Sequence, residues 1–458
     1  MAKHKTPGVF INQVQKLPNS VAQVETAIPA FIGYTEKAIL TTAGDLLNSP
    51  KRIINLDEYR QFFGEAEPEQ GITVEVHTQG GSTQLETSIT NPSNYLMYYA
   101  LQAFFANGGG PCYIVSVGNY SGGGAIDRTA LLSGLAAAGE IDEITLIVFP
   151  EGTNMASAAD YHALVNESLS HCHERRDRFL VCDLKMSDDP TIDEVEEFRA
   201  GITVTTDELS YGACYYPYLD MSLDYHFHPA DVQVTKNGNT RTLDQLEKRE
   251  NELFNEIQSA ISAIPLTLPS SAPVLGIYAR MDAQRGVWKA PANVSITGAV
   301  RPNKEISNSE QESLNVDPVS GKSINAIRTI QNRGVMVWGA RTLAGNDNEW
   351  RYVPVRRFYN MVEESITKAM RSFVFEPNDA NTWLEVKRMV GVFLTDLWRQ
   401  GALAGSKPEQ AFVVRVGLGE TMTAKDVRAN IMNVEIGMAV IRPAEFTILR
   451  ISQKMGGS

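Results

Sequence analysis

The sequence predicts an α/β protein with a C-terminal α+β unit and an extended strand arm at each end. Three observations carry this reading. Short apolar strands alternate with helices through the middle of the chain, the pattern of a parallel sheet covered on both faces. Two long amphipathic helices dominate the last hundred residues. The segments 8–14 and 444–452 are rich in Val, Ile, Phe and Thr, are bounded by Gly and Pro, and lie outside any evident core.

The N-terminal arm, 1–20, carries Val9, Phe10, Ile11 and Val14 in PGVFINQV. An unpaired strand exposes backbone donors and acceptors that can add to another chain's sheet. A chain with such an arm at each end reads as a building block that stitches to copies of itself. Residues 21–110 form the N-terminal part of the core, with a strand at 30–34. The stretch 64–93, rich in Gly, Glu, Thr, Ser and Gln, reads as a surface loop or small hairpin insertion. From Asn94 a buried helix runs into the glycines at 108–110.

The α/β domain spans 111–345, with strands expected at 111–118, 144–150, 178–184, 213–219 and 274–281. Helices are expected around 155–173 and near 191–200. The segment 221–272 reads as an insertion carrying one helix from about 243 to 264, opened by a capping box of Thr242 and Gln245. The α+β unit, 346–440, has helices at about 356–373 and 383–400 and a strand at 412–417. Thr382 and Glu385 read as the second helix's capping box, and Gly401 as its left-handed terminator. In TAKDVRANIM a short helix is expected to bury Met422, Val427 and Ile431 and to project Lys425 and Arg428 from one face. The C-terminal arm, 441–458, carries Phe446, Ile448, Leu449 and Ile451.

At 458 residues the chain exceeds one typical core, so two or three domains are expected. A net charge of −13, with no basic tract to offset it, argues against a general nucleic-acid binder. The charge is uneven. From Arg351 onward 15 Lys and Arg stand against 11 Asp and Glu, +4, while the remainder, 26 against 43, carries −17. The C-terminal part is therefore expected to face an acidic partner. No apolar run reaches the roughly 18 residues that span a bilayer, and MAKHKTPGVF lacks a signal peptide's apolar stretch. Cys112, Cys172, Cys182 and Cys214 are sparse and irregular, which fits reduced, buried thiols in a cytoplasmic product.

No motif supports catalysis. Gly321, Lys322 and Ser323 resemble the end of a phosphate-binding loop, but Val316 stands where that loop needs a glycine, and Lys322 reads as an exposed loop lysine. His171, Cys172, His173 and Cys182 have no second ligand pair at metal-binding spacing. His226 and His228, in DYHFHP, alternate along a possible strand, and a loop or edge-strand role is expected of them rather than a ligand set. The glycines at 108–110 and 122–124 serve turns, and Tyr211, Tyr215, Tyr216 and Tyr218 read as core or interface packing. No cofactor or metal is implied. The alternatives to an assembly role are a static tube or capsid subunit and a degenerate hydrolase or NTPase.

Several stretches, in order, resemble the sheath subunits of contractile phage tails and related bacterial contractile injection systems. They are PGVFINQV, TAIPAFIGY, FFANGGGPCYIVSVG, RGVWKAPANVSITGAV, INAIRTIQNRGVMVWGARTL, WRYVPVRRFYNMVEESI and WRQGALAGSKPEQAFVVRVG, with the end strand. The resemblance implies a subtilisin-like central α/β domain without protease activity, followed by a C-terminal sheath domain. It implies arms that pair with neighbouring subunits in a shared sheet, with links such as 16–20 and 437–442 absorbing rotation of the rigid domains. It further implies stacked hexameric rings around an inner tube, contraction triggered by a baseplate, and terminal cap proteins as partners, without direct contact to nucleic acid or membrane. Such a particle is assembled in the bacterial cytoplasm and can act outside the cell. On that geometry Lys425 and Arg428 are expected to face the tube.

Overall fold

Alternation of strand and helix builds the larger of two units in the computed structural model. The described residues are 20–79, 82–120, 124–187, 189, 191–247 and 250–445. Of these, the larger unit comprises Glu25–Glu363 and Ile441–Glu445; the smaller comprises Glu364–Val440 and Ser20–Val24.

In the larger unit β1 (Pro29–Thr35) is wholly buried, as its apolar run requires. β2 (Lys51–Ile53) leads into α1 (Leu56–Phe63), whose first-turn amide at Glu58 is capped by Asn55. The 64–93 stretch is a hairpin, β3 (Ile72–Gln79) and β4 (Ser82–Ile89). α2 (Met97–Ala106) is apolar almost all round and buried accordingly, and β5 (Cys112–Asn119) follows. α3 (Arg128–Gly139), capped by Asp127, is a helix the sequence reading leaves out; its Ala-rich turns show little contrast between faces. β6 (Leu146–Val148), α4 (Ala158–Arg175), β7 (Phe179–Asp183), α5 (Glu194–Gly201), α6 (Thr206–Leu209) and β8 (Gly212–Tyr216) continue the expected alternation.

The expected strand 213–219 divides after Tyr216. Pro217 has no amide to continue the ladder, and the chain resumes as β9 (Leu219–Met221) in a different sheet. β10 (Gln233–Lys236), β11 (Asn239–Thr242), α7 (Leu243–Glu247) and α8 (Asn251–Ser262) come next, so the single helix expected over 243–264 is two. Thr242 ends a strand and bonds the Asp244 carboxylate rather than forming the expected box. β10 pairs parallel with β3, Val234 opposite Val74, and the two insertions close one sheet, β11-β10-β3-β4. Ile72, Val74 and Val76 share a core with Leu253, Phe254 and Ile257 of α8.

After β12 (Leu266–Leu268) comes a correction: 274–281 is not a strand but the middle of α9 (Ser271–Arg285). A short apolar run does not distinguish a buried helix from a buried strand. Pro273 lies in the first turn, where a missing amide is harmless, and Gly286 at φ +86° ends the helix. β13 (Val294–Ser295), β14 (Ala299–Pro302), α10 (Asn308–Asn315), β15 (Ile324–Ile330) and β16 (Gly334–Val337) complete the sheets. The main sheet has the order β13-β16-β15-β8-β7-β6-β1-β5-β2. Its six central strands, β15 to β5, are parallel, and β2, β16 and β13 pair antiparallel at the edges. All four cysteines are buried and unbridged.

α11 (Val353–Met370) begins in the larger unit, and its last turns belong to the smaller. There α12 (Ala380–Arg399) buries Val386, Met389, Val390, Phe393 and Leu397 at helical spacing. Its cap is Asp379, accepting from the Asn381 and Thr382 amides at 2.9 and 3.1 Å, not the expected Thr382–Glu385 box. Thr382 already lies inside the first turn, whereas a cap needs the extended backbone found at Asp379. Gly401 takes φ +85°, as expected of the terminator. α13 (Pro408–Ala411), β17 (Phe412–Arg415), α14 (Ala424–Arg428) and β18 (Glu435–Met438) follow, β17 and β18 forming a two-stranded antiparallel sheet. The expected flexible link at 437–442 therefore begins inside a strand. Met422 is buried, but Ile431 is 47% exposed, because the chain turns at left-handed Asn430 before reaching it.

Candidate assembly site at the roots of the arms

The eight residues singled out in the arms, Val9, Phe10, Ile11, Val14, Phe446, Ile448, Leu449 and Ile451, lie outside the described residues. The described chain runs from residue 20 to 445, and near each of these ends a buried arginine holds it.

At the C-terminal root the last described residue, Glu445, meets Arg341. The Arg341 Nε and Nη2 donate to Oε1 and Oε2 of Glu445 at 2.8 and 2.6 Å. Its Nη1 donates to the carbonyls of Asn315 and Gly345 at 3.0 and 3.2 Å. The planar fork thus uses both faces of its donor set, which a lysine could not do. Glu445 also accepts from Asn315 Nδ2 at 3.0 Å and the Tyr352 hydroxyl at 3.2 Å. Burial alone would push the Glu445 carboxyl up; the bonds from Arg341, Asn315 and Tyr352 outweigh it and hold the group below its ordinary value. Arg341 is itself set by Asn325 of β15, whose Oδ1 accepts the Arg341 amide at 2.7 Å and whose Nδ2 donates to its carbonyl at 2.8 Å. Gly339 leaves the room for this: a Cβ there would press on the Asn325 side chain. Glu445 is therefore wired through Arg341 to a central strand of the main sheet.

At the N-terminal root Arg357 donates through Nη2 to the Thr26 carbonyl at 2.9 Å and to Asp282 Oδ2 at 2.5 Å, and through Nη1 to Asp282 Oδ1 at 3.2 Å. The Thr26 hydroxyl donates to the same Asp282 carboxylate at 2.6 Å. The guanidinium lies over the Tyr278 ring, 4.6 Å from its centre. Just before it, the Val24 amide donates to Ser365 Oγ at 3.1 Å.

The sequence reading singles out neither clamp. Arg341 and Arg357 both fall within stretches quoted for the resemblance, but nothing local ties either to its acid. Lys425 and Arg428 do lie together on α14, exposed, behind a box of Thr423 and Asp426. The smaller unit is not basic, however: Arg356 and Arg357 are buried in the larger unit, and Glu364–Val440 contains nine basic and nine acidic residues.

Lys322 is not an exposed loop lysine; it is partly buried, and its ammonium donates to the Arg199 carbonyl at 2.6 Å. Cys172 and Cys182 belong to the core, and His171 packs on Gly139. His226 has an acidic neighbour, Glu65, at 3.9 Å. Among the described residues, metal-type donors converge only at Glu75, His77 and Glu86, all exposed on the hairpin. No helix among them is long and apolar enough to cross a membrane.

A family model described as the phage tail sheath protein central domain matches residues 124–343, and one described as the phage tail sheath C-terminal domain matches 345–454. Together with the fold, these define the class: the chain belongs to the tail sheath protein family. Over essentially its whole length it is similar to sheath proteins of extracellular contractile injection systems. The PVC sheath in its contracted state superposes with a TM-score of 0.67 at 30% identity, covering 99% of each chain. The contracted helical sheath of the anti-feeding prophage gives 0.67 at 30%, covering 99% of this chain and 100% of that one. Among curated proteins, a putative prophage major tail sheath protein of Pseudomonas aeruginosa (strain UCBPP-PA14) is 30% identical over 139 residues, 30% of this chain and 34% of that one. The tail sheath protein of Burkholderia phage BcepMu is 28% identical over 144 residues, 30% of each chain. The aligned regions thus span about a third of these curated relatives.

Proposed function

We propose that the chain is the repeating subunit of a contractile sheath, stitched to neighbouring copies by its two arms and stacked in hexameric rings around an inner tube that it drives forward on contraction. The observation that carries this reading is the clamping of both arm roots by buried arginines. A strand that must reach another chain is useful only if its starting point and direction are fixed. β17–β18 supports the same reading from the receiving side, since a two-stranded sheet is marginal alone and gains from added strands. The larger unit, for which the resemblance implies a subtilisin-like topology, serves as a rigid, non-enzymatic body. Other sheath copies, the tube, a baseplate and a cap are its partners, in a particle assembled in the bacterial cytoplasm and acting as a phage tail or released tail-like device.

Deleting residues 1–20 is expected to leave a folded, soluble subunit that builds no sheaths, because the clamp at Thr26 stays within the subunit. Electron micrographs provide the check: ridged, hollow cylinders from the truncated protein would refute arm exchange, and smooth narrow tubes from the parent would favour a static tube subunit.

Lys425 and Arg428 are proposed to contact the tube, as two exposed cations three apart on a capped turn. Reversing both charges should weaken tube-templated assembly at low salt while tube-free polymerisation persists. Exposed pairs are each worth only about 0–1 kcal/mol, so the effect rests on repetition along the tube. Unchanged assembly on the tube at low salt would remove α14 from that interface.

A further inference from the structure

The six parallel strands run β5-β1-β6-β7-β8-β15, so the chain's connections part to opposite sides between β1 and β6. In open α/β sheets the crevice beyond the carboxyl ends of the strands at such a point receives the ligand. Here Glu151, just past the end of β6, fills it with a side chain that is fully buried. Its Oε1 accepts the amide of Met97, the first residue of α2, at 3.1 Å. Leu96, at the cap position of that helix, supplies no side-chain cap of its own. Oε2 has no hydrogen-bond partner in the protein. It presses against the bare backbone of Gly33 in β1, where any Cβ would overlap the carboxylate. A helix start presents free amides to an anion, and the glycine makes the space.

We propose that this crevice is a ligand seat closed from within, in which the Glu151 carboxyl stands where a small free monocarboxylic acid would otherwise be held at the start of α2. The chain keeps the sheet order of a ligand-binding α/β protein and supplies the ligand covalently. The groups that hold the carboxyl are backbone amides, of which that of Met97 lies within hydrogen-bond distance, and this suits a carboxyl group rather than a phosphate, which would draw a cationic side chain. Burial pushes Glu151 up to about 8 despite its backbone bonds, so at neutral pH the seat holds the acid with its proton.

The test empties the seat in the full chain with Glu151→Gly and Glu151→Ala and follows thermal unfolding in sodium formate, sodium acetate or sodium chloride at equal ionic strength. Both variants are expected to melt below the parent. Formate or acetate should restore at least about half of the lost melting temperature, saturably, and more strongly at pH 5 than at pH 8, while chloride does not. Equal responses to chloride and formate, or a response that never saturates, would overturn the proposal. Should both variants be insoluble, refolding them in formate against chloride asks the same question, and equal yields would overturn it. Glu151→Gln is the control: its amide fills the seat, so it should fold and show no response to formate. A formate effect on Glu151→Gln as large as on Glu151→Gly would place the binding elsewhere and overturn the assignment. The readout is the stability of the subunit and is separate from its assembly.

Discussion

Arg341→Ala is expected to destabilise the larger unit by about 2–4 kcal/mol and to abolish ordered sheath assembly. The range reflects removal of one partner from a buried, hydrogen-bonded ion pair, reduced because Glu445 retains some solvent. Four bonds vanish at once: two to Glu445 and two to the carbonyls of Asn315 and Gly345. The Glu445 carboxylate then keeps only Asn315 and Tyr352, and the proposed arm beyond it loses its fixed departure point. Arg341→Lys should recover little, since an ammonium cannot bridge both carboxylate oxygens and both carbonyls. In a double-mutant cycle, adding Glu445→Ala to Arg341→Ala should cost much less than it does in the parent. Urea unfolding and electron microscopy of the purified subunit check this. A loss under about 0.5 kcal/mol with normal sheaths would sink the clamp. Acid should act like the mutation: the Glu445 pKa is depressed, so the clamp's stabilisation is present above the ordinary carboxylate range and is lost as pH falls through the folded-state value.

Raising the pH from 5 to 8.5 is expected to lower the melting temperature of the subunit substantially. Burial pushes Glu69 and Asp183 up to about 7 and Glu151 to about 8, against an ordinary range near 4. In that window the folded chain keeps these protons and the unfolded chain releases them. Stability is therefore complete below the unfolded values, falls as pH climbs through 7 and 8, and levels off above. Each proton so held is worth about 1.4 kcal/mol per pH unit. At Glu69 the carboxylate also accepts the Ser93 amide, which opposes burial and so narrows the pH window. Asp183 keeps a role when ionised, because the Ser271 amide at the start of α9 donates to it at 2.8 Å. The variant Glu69→Gln, Asp183→Asn, Glu151→Gln should lose most of the slope. Calorimetry at four pH values decides it: a flat or rising melting temperature in the parent would show that these carboxyls are ionised in the fold.

Much of the architecture is legible because local periodicity reports which side chains face inward. The continuous apolar runs at 146–148 and 179–183 are buried strands, and the stripe Val386, Met389, Val390, Phe393, Leu397 is a buried helix face. Gly401 is legible for a similarly local reason, since only the turn that ends a helix asks for its φ. Where the period is ambiguous the reading fails, as at 274–281, a short apolar run that packs equally well in either form until the rest of α9 extends it. Thr382 shows a subtler failure: the box pattern is present, but Asp379 three residues earlier caps the helix first.

By itself, then, the sequence determined the alternation of strands and helices and the stripes of the long C-terminal helices, both properties of neighbouring residues. The tertiary structure alone decided what distant residues do to one another. It joined the stretches near 64–93 and 221–272 into one sheet through β3 and β10. It set Arg341 on Glu445, 104 positions away, and Arg357 on Asp282, 75 positions away. It also brought Glu151 against Gly33 at the point where the strand order reverses. The physical reason is that a side chain's spacing along the chain encodes which face it occupies, whereas its partner across the fold is chosen by strand order and packing, which no local pattern records.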